Sequence, residues 1–205
     1  YLTMNILLVG DSWTADWTEQ SKEFSGWPTL LSNQYNVTNL SKAGVSQYRI
    51  CKQLEKENLE NYDLIICSIT SPNRLYSKYN LHKENNFHNE CDLIFQDIES
   101  AIIEGNNSTE LKTALNFFIE HWDKDYADFV HKLKVEWCYN KLTNYNTIYT
   151  SIINESKNFL PKEAKFLDGF EIFETYPGPI NHLSEEGNTI FFKNLKELLK
   201  QSKYN

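Results

Sequence analysis

The stretch Asn5 Ile6 Leu7 Leu8 Val9 Gly10 Asp11 Ser12 Trp13 decides how the chain folds. A short apolar run that stops at a glycine, an acid and a serine reads as a buried parallel strand ending in a turn. Gly10 permits the tight turn, and Ser12 is delivered at the carboxyl end of the strand, the edge where open α/β sheets bind their ligands. A serine there is a candidate nucleophile. Asp11 and Ser12 are also good helix caps, so this stretch alone supports either a catalytic or a purely local role.

Outward from it, the same kind of run recurs. Asn36 to Leu40 alternates and is β-branched, and Leu64 to Ile69 is as apolar as a central parallel strand should be. Thr147 to Ile153 is a fourth candidate strand, and a fifth lies within Phe166 to Phe173. Helical patterns separate them. One begins at Trp27, with Pro28 suited to a first turn, and another covers Tyr48 to Leu59. Further helices are expected at Asp92 to Glu104, at Leu111 to Leu142 with a break near Asp123, and at Thr189 to Gln201. Trp13 to Phe24 reads as a loop or short helix over the strand end. Phe117, Phe118, Trp122, Tyr126 and Phe129 recur at helical spacing and are expected in the core. Strands alternating with helices imply a three-layer α/β/α sandwich with a central, mostly parallel five-stranded sheet.

At 205 residues the chain suits one domain, expected over residues 4–205, with Met4, its only methionine, as the expected natural start. Charged residues at 23% and hydrophobic ones at 40% place it among globular proteins rather than disordered or membrane chains. A net charge of -8 argues against a nucleic-acid partner, since phosphate backbones are bound by clustered Lys and Arg. The 14% of aromatic residues suits aromatic-edged surfaces as well as core. Cys51, Cys67, Cys91 and Cys138 are widely spaced and fit free thiols, hence a cytoplasmic setting. No run approaches the roughly 20 apolar residues of a membrane span, and no basic-then-apolar leader precedes the first strand. The Asn-, Lys- and Ile-rich composition hints at an AT-rich, virus-encoded origin. His82 and His88 lie in a long polar loop, Tyr76 to Asn89, at a spacing that fits no common metal-ligand motif, so neither a metal nor another cofactor is expected.

Four blocks stand at the expected strand ends or in the last loop: Gly10 Asp11 Ser12, then Ala43 Gly44 Val45 Ser46, then Ser71 Pro72 Asn73 Arg74, and finally Asn181 His182 Leu183 Ser184 Glu185 Glu186 Gly187. In this order they resemble the SGNH/GDSL hydrolase superfamily, whose name lists the Ser, Gly, Asn and His of its blocks. The resemblance spans Asn5 to Gly187. It implies a flavodoxin-like strand order and a cofactor-free serine esterase for small acyl esters or O-acetylated carbohydrates. Ser12 would be the nucleophile and His182 its base. The backbone N–H groups of Ser12 and Gly44 and the side-chain amide of Asn73 would form the oxyanion hole. The family also admits two other outcomes here: an acyltransferase, or a carbohydrate-binding descendant without turnover.

Two departures from the family pattern bear on mechanism. Where the family places an aspartate three residues before its histidine, this chain has Pro179, and the third block carries Ser71 for glycine and Arg74 for the second acid. Candidates to orient His182 are Glu174, Asp168 or a carbonyl of the rigid Pro177 Gly178 Pro179 turn. Asn181 is adjacent but carries no charge to stabilise an imidazolium. Arg74, a guanidinium near the oxyanion site, is a candidate for an anionic substrate group, and Trp13 for a substrate-binding edge. Oligomeric state is open.

Overall fold

The computed structural model describes residues 4–16, 26–78, 91–106, 108–178 and 182–202. The expected loop beyond residue 16, the loop with His82 and His88, and Pro179 and Asn181 lie outside them. The elements run β1 (Asn5–Val9), α1 (Trp27–Ser32), β2 (Asn36–Asn39), α2 (Gln47–Glu55), β3 (Leu64–Ser68), β4 (Arg74–Leu75), β5 (Leu93–Ile94), α3 (Phe95–Ile103), α4 (Thr109–Glu120), α5 (Lys124–Leu142), β6 (Thr147–Ser151), β7 (Phe166–Asp168), α6 (Phe170–Thr175) and α7 (Glu185–Ser202). Five strands form one parallel sheet in the order β2-β1-β3-β6-β7, flavodoxin-like as expected.

The first strand is apolar on both faces because both are covered. Ile6 and Leu8 join Leu64, Ile66 and Ile148 against Trp27 and Leu31 of α1 and Phe191, Leu195 and Leu199 of α7. Leu7 and Val9 join Ile65, Cys67 and Tyr149 against Ile50, Cys51 and Leu54 of α2 and Val135, Cys138 and Leu142 of α5. Successive side chains of a strand point to opposite faces, so one unbroken run fills two cores. The four cysteines are buried free thiols, with Cys51 and Cys138 sulfurs 3.5 Å apart between α2 and α5.

Several expected boundaries move. The break near Asp123 is real, and Asp123 caps α5 by accepting the Tyr126 N–H at 2.7 Å. The expected helix from Asp92 starts later, at Phe95, because residues 93–94 pair with Arg74 and Leu75 in a two-stranded ribbon that no sequence pattern announced. The fifth strand ends at Asp168, and the apolar residues after it form α6. The aromatic series on α4 and α5 is not one core stripe. Phe118 is buried against α3, whereas Phe117, Tyr126 and Phe129 are 43%, 69% and 60% exposed. The break at Asp123 turns α5, which buries Ala127, His131, Val135, Cys138 and Leu142 instead.

His131 on that inner face lies edge-on to Phe159, with ring centroids 4.8 Å apart. Burial and the nearby Lys134 push its pKa down to about 4, against a weaker upward pull from Asp128. The unfolded chain therefore binds a proton that the folded chain refuses between pH 6.5 and about 4, so stability is full above 6.5 and falls as the pH drops through that window. The cost reaches about 3 kcal/mol at the lower end. Urea denaturation of wild type and His131→Leu at pH 7.5 and 4.5 should show the wild type losing ground to the variant at the lower pH. Parallel losses in the two proteins would contradict a neutral buried imidazole.

Candidate active site

The order of the sheet reverses between β1 and β3, and the carboxyl ends of these strands flank the crevice where open α/β sheets bind ligands. Ser12, half-buried, sits in the turn that follows β1. That turn closes with the Thr14 N–H donating to the Asp11 carbonyl at 3.2 Å. Its start is fixed by Gln53 of α2, whose side-chain amide accepts from the Gly10 N–H at 2.7 Å and donates to the Gly10 carbonyl at 3.0 Å. A side chain at Gly10 would overlap the Thr14 hydroxyl and Ser68 Cβ, so the glycine is required by packing as well as by the turn.

Asp11, only 4% exposed, is a hub rather than a helix cap. One carboxylate oxygen accepts from the Trp13 N–H at 3.1 Å and the Ser68 hydroxyl at 3.2 Å. The other accepts from the Thr70 hydroxyl at 2.6 Å and from Arg74 Nη1 at 2.9 Å. The same Nη1 donates to the Val45 carbonyl at 3.1 Å. Arg74, expected near an anionic substrate group, is thus committed within the protein. Trp13, expected at a substrate edge, is 3% exposed. Its indole N–H donates to the Thr150 hydroxyl at 3.1 Å, and its ring packs on Trp27 and Phe191.

Gly44 follows β2 at φ +71, a conformation that glycine adopts without penalty. Packing also requires glycine here: a Cβ would overlap the Cys91 sulfur. The loop is gripped from residues 91–92. The Gly44 carbonyl accepts from the Asp92 N–H at 3.0 Å, and the Asp92 carboxylate accepts from the Ser46 N–H at 2.8 Å. Burial pushes the Cys91 thiol up to about 12, so it is no thiolate nucleophile. Asn73 is exposed beyond the end of β3, its own N–H held by the Ser71 hydroxyl at 3.2 Å.

His182, 8% exposed, stands just ahead of α7, where the chain pairs back onto residues 176–178. Pro177 and Leu183 bridge, the Gly178 N–H donates to the His182 carbonyl at 2.6 Å, and the Ser184 N–H to the Tyr176 carbonyl at 2.9 Å. The two candidate acids have other surroundings. Asp168, exposed at the end of β7, accepts from the Phe170 N–H at 2.8 Å and so starts α6. Glu174 is exposed on α6.

Asn188, which the sequence reading passed over, ties the histidine loop to α1. Its amide nitrogen donates to the carbonyls of Leu183 and Ser184 at 3.2 and 3.0 Å, and its oxygen accepts from the Trp27 N–H at 2.8 Å. Asn188→Leu, of similar size, takes this partner from the buried Leu183 carbonyl and Trp27 N–H, while the Ser184 carbonyl keeps the Asn188 N–H at 2.9 Å. Each such loss costs about 1 to 3 kcal/mol, so the variant should melt well below wild type, as calorimetry would record. A melting temperature within about 2 °C of wild type would show that water replaces the amide.

Among the described residues, no group of three His, Cys, Asp or Glu side chains could hold a metal ion, and no helix is long and apolar enough to cross a membrane. No protein-family profile matches the chain, and no curated protein matches it in sequence. A solved structure from Desulfitobacterium hafniense DCB-2, provisionally described as a lipolytic protein of the G-D-S-L family, is similar over 93% of this chain and 96% of its own. The TM-score is 0.48 and the sequence identity 13%.

Proposed function

We propose that the chain is a serine ester hydrolase of the SGNH/GDSL type, acting on small acyl esters or O-acetylated carbohydrates without a cofactor. The observation that carries this reading is that three of the four blocks lie at one edge: Ser12, Gly44 and Asn73 stand in the loops after β1, β2 and β3, and one hydrogen-bonded network joins those loops. In this reading Ser12 Oγ attacks the ester carbonyl while His182 takes its proton. The N–H groups of Ser12 and Gly44 and the Asn73 amide hold the oxyanion. The C–O bond then breaks, the alcohol leaves with the proton from His182, and a water activated by His182 releases the acid.

Asp168 is already engaged in starting α6, and Glu174 lies on the exposed helix, so a Ser–His dyad is the simpler engine. The Gly178 N–H to His182 carbonyl bond and the Pro177–Leu183 bridge fix the histidine backbone, and no acid is assigned to its ring. The test is hydrolysis of para-nitrophenyl acetate and butyrate, with a fluorophosphonate as covalent probe. Turnover together with a label on Ser12 supports the reading. A folded wild type with neither overturns it, and transfer to an added alcohol that exceeds hydrolysis would make the protein an acyltransferase.

A further inference from the structure

One nitrogen joins the three loops that carry the assigned oxyanion donors. Arg74 Nη1 donates to the Asp11 carboxylate at 2.9 Å and to the Val45 carbonyl at 3.1 Å. Asp11 directly precedes Ser12, Val45 directly follows Gly44, and Arg74 itself directly follows Asn73. Each donor is therefore one peptide away from an atom of the same bridge. Arg74 is in turn held in register by pairing with Ile94 in the β4–β5 ribbon.

We propose that Arg74 is a positioning residue for ester hydrolysis, fixing the Ser12, Gly44 and Asn73 donors relative to one another; the inference rests on the hydrolase reading above. Oxyanion stabilisation depends on donors that are in place before charge develops, and a misplacement of about 1 Å can cost about 10²-fold in rate. The guanidinium suits the task because it stays charged and, at 16% side-chain exposure, faces a carboxylate that is 5% exposed. A buried carboxylate needs such a partner. With its charge matched by Asp11, Arg74 gives little advantage to an anionic substrate, so neutral esters should be preferred.

Arg74→Met alone would leave Asp11 charged, buried and unpaired, with unfolding as an expected result, so the decisive variant is Asp11→Asn with Arg74→Met. Asparagine keeps an oxygen for the Ser68 hydroxyl and the Trp13 N–H. Its amide can donate to the Thr70 hydroxyl, which accepts as readily as it donates. Only the bridge is lost. The folded double variant should show kcat on para-nitrophenyl acetate lowered about 10²-fold, with KM changed by less than about 3-fold and fluorophosphonate labelling of Ser12 slowed in parallel. Arg74→Lys, whose shorter arm keeps Asp11 paired and gives up the Val45 carbonyl, should lie between, about 10-fold down in kcat. Wild-type kcat in either folded variant, or a loss confined to KM, overturns the proposal while leaving the hydrolase intact. A wild type that neither turns over the ester nor labels at Ser12 removes the hydrolase reading and this proposal together.

Discussion

Ser12→Ala should lower kcat on para-nitrophenyl acetate by about 10⁴- to 10⁶-fold and leave the melting temperature nearly unchanged. Removing the nucleophile of a serine hydrolase leaves only the modest acceleration that the oxyanion donors and binding supply. The stability half of the expectation follows from placement. Ser12 is half-buried at the tip of a turn whose closure uses the backbone of Asp11 and Thr14 and whose start is held by Gln53. None of these bonds uses the serine hydroxyl. Truncating one half-buried hydroxyl usually costs about 1 kcal/mol or less.

His182→Ala should match that loss in activity but not that neutrality in stability. The imidazole is 8% exposed, so truncating it removes buried packing. The two variants therefore separate chemistry from folding: equal kinetic losses with unequal melting temperatures. Turnover that survives in folded Ser12→Ala would assign the nucleophile elsewhere and end the proposed mechanism.

What the sequence made legible was the sheet and the strand ends, because an apolar run such as Ile6 to Val9 states its two-sided burial directly and the residues after it must lie at the carboxyl edge. What it hid were contacts between distant polar residues. Nothing local marks Gln53 as the group that grips Gly10, or Asp92 as the one that grips the Gly44 loop, since each lies more than 40 residues from its partner. Arg74 and Trp13 have packing partners that the sequence did not show, for a related reason. Residue type suggested what each could bind in solution, but the fold had already committed Arg74 to Asp11 and Trp13 to the α1–α7 core. The aromatic series on α4 and α5 is split because Phe117 adjoins the buried Phe118 and so leaves its face of α4, and because helical spacing does not carry across Asp123, where the chain turns.

The largest stability effect is expected at Asp92, the hub of a second network around the Gly44 loop. Its side chain is fully buried and accepts from Arg49 Nε at 2.8 Å, from the Ser77 N–H at 3.0 Å and from the Ser46 N–H at 2.8 Å. Asp92→Ala takes the carboxylate from two backbone donors and from a guanidinium only 21% exposed in side chain, which keeps the Ser77 carbonyl at 2.9 Å but loses its counter-charge, a loss of about 3 to 5 kcal/mol. For a chain of this size that corresponds to a fall of about 10 °C in melting temperature. Asp92→Asn should cost less but is not innocent, because an amide can accept on one side only and must turn a donor toward either Ser46 or the Arg49–Ser77 pair. The loss should be local before it is global. The Ser46 amide, bonded to the carboxylate, should exchange its hydrogen far faster in Asp92→Asn than in wild type, while the amides of β1 and β3 keep their protection. If the Ser46 amide stays protected and the melting temperature moves by less than about 2 °C, Arg49 and Asp92 form a marginal pair and the loop is held by the Asp92 backbone alone. If the expected pattern is found, the Gly44 loop opens well below the melting temperature of the Asn variant, and ester hydrolysis should fade at that lower temperature.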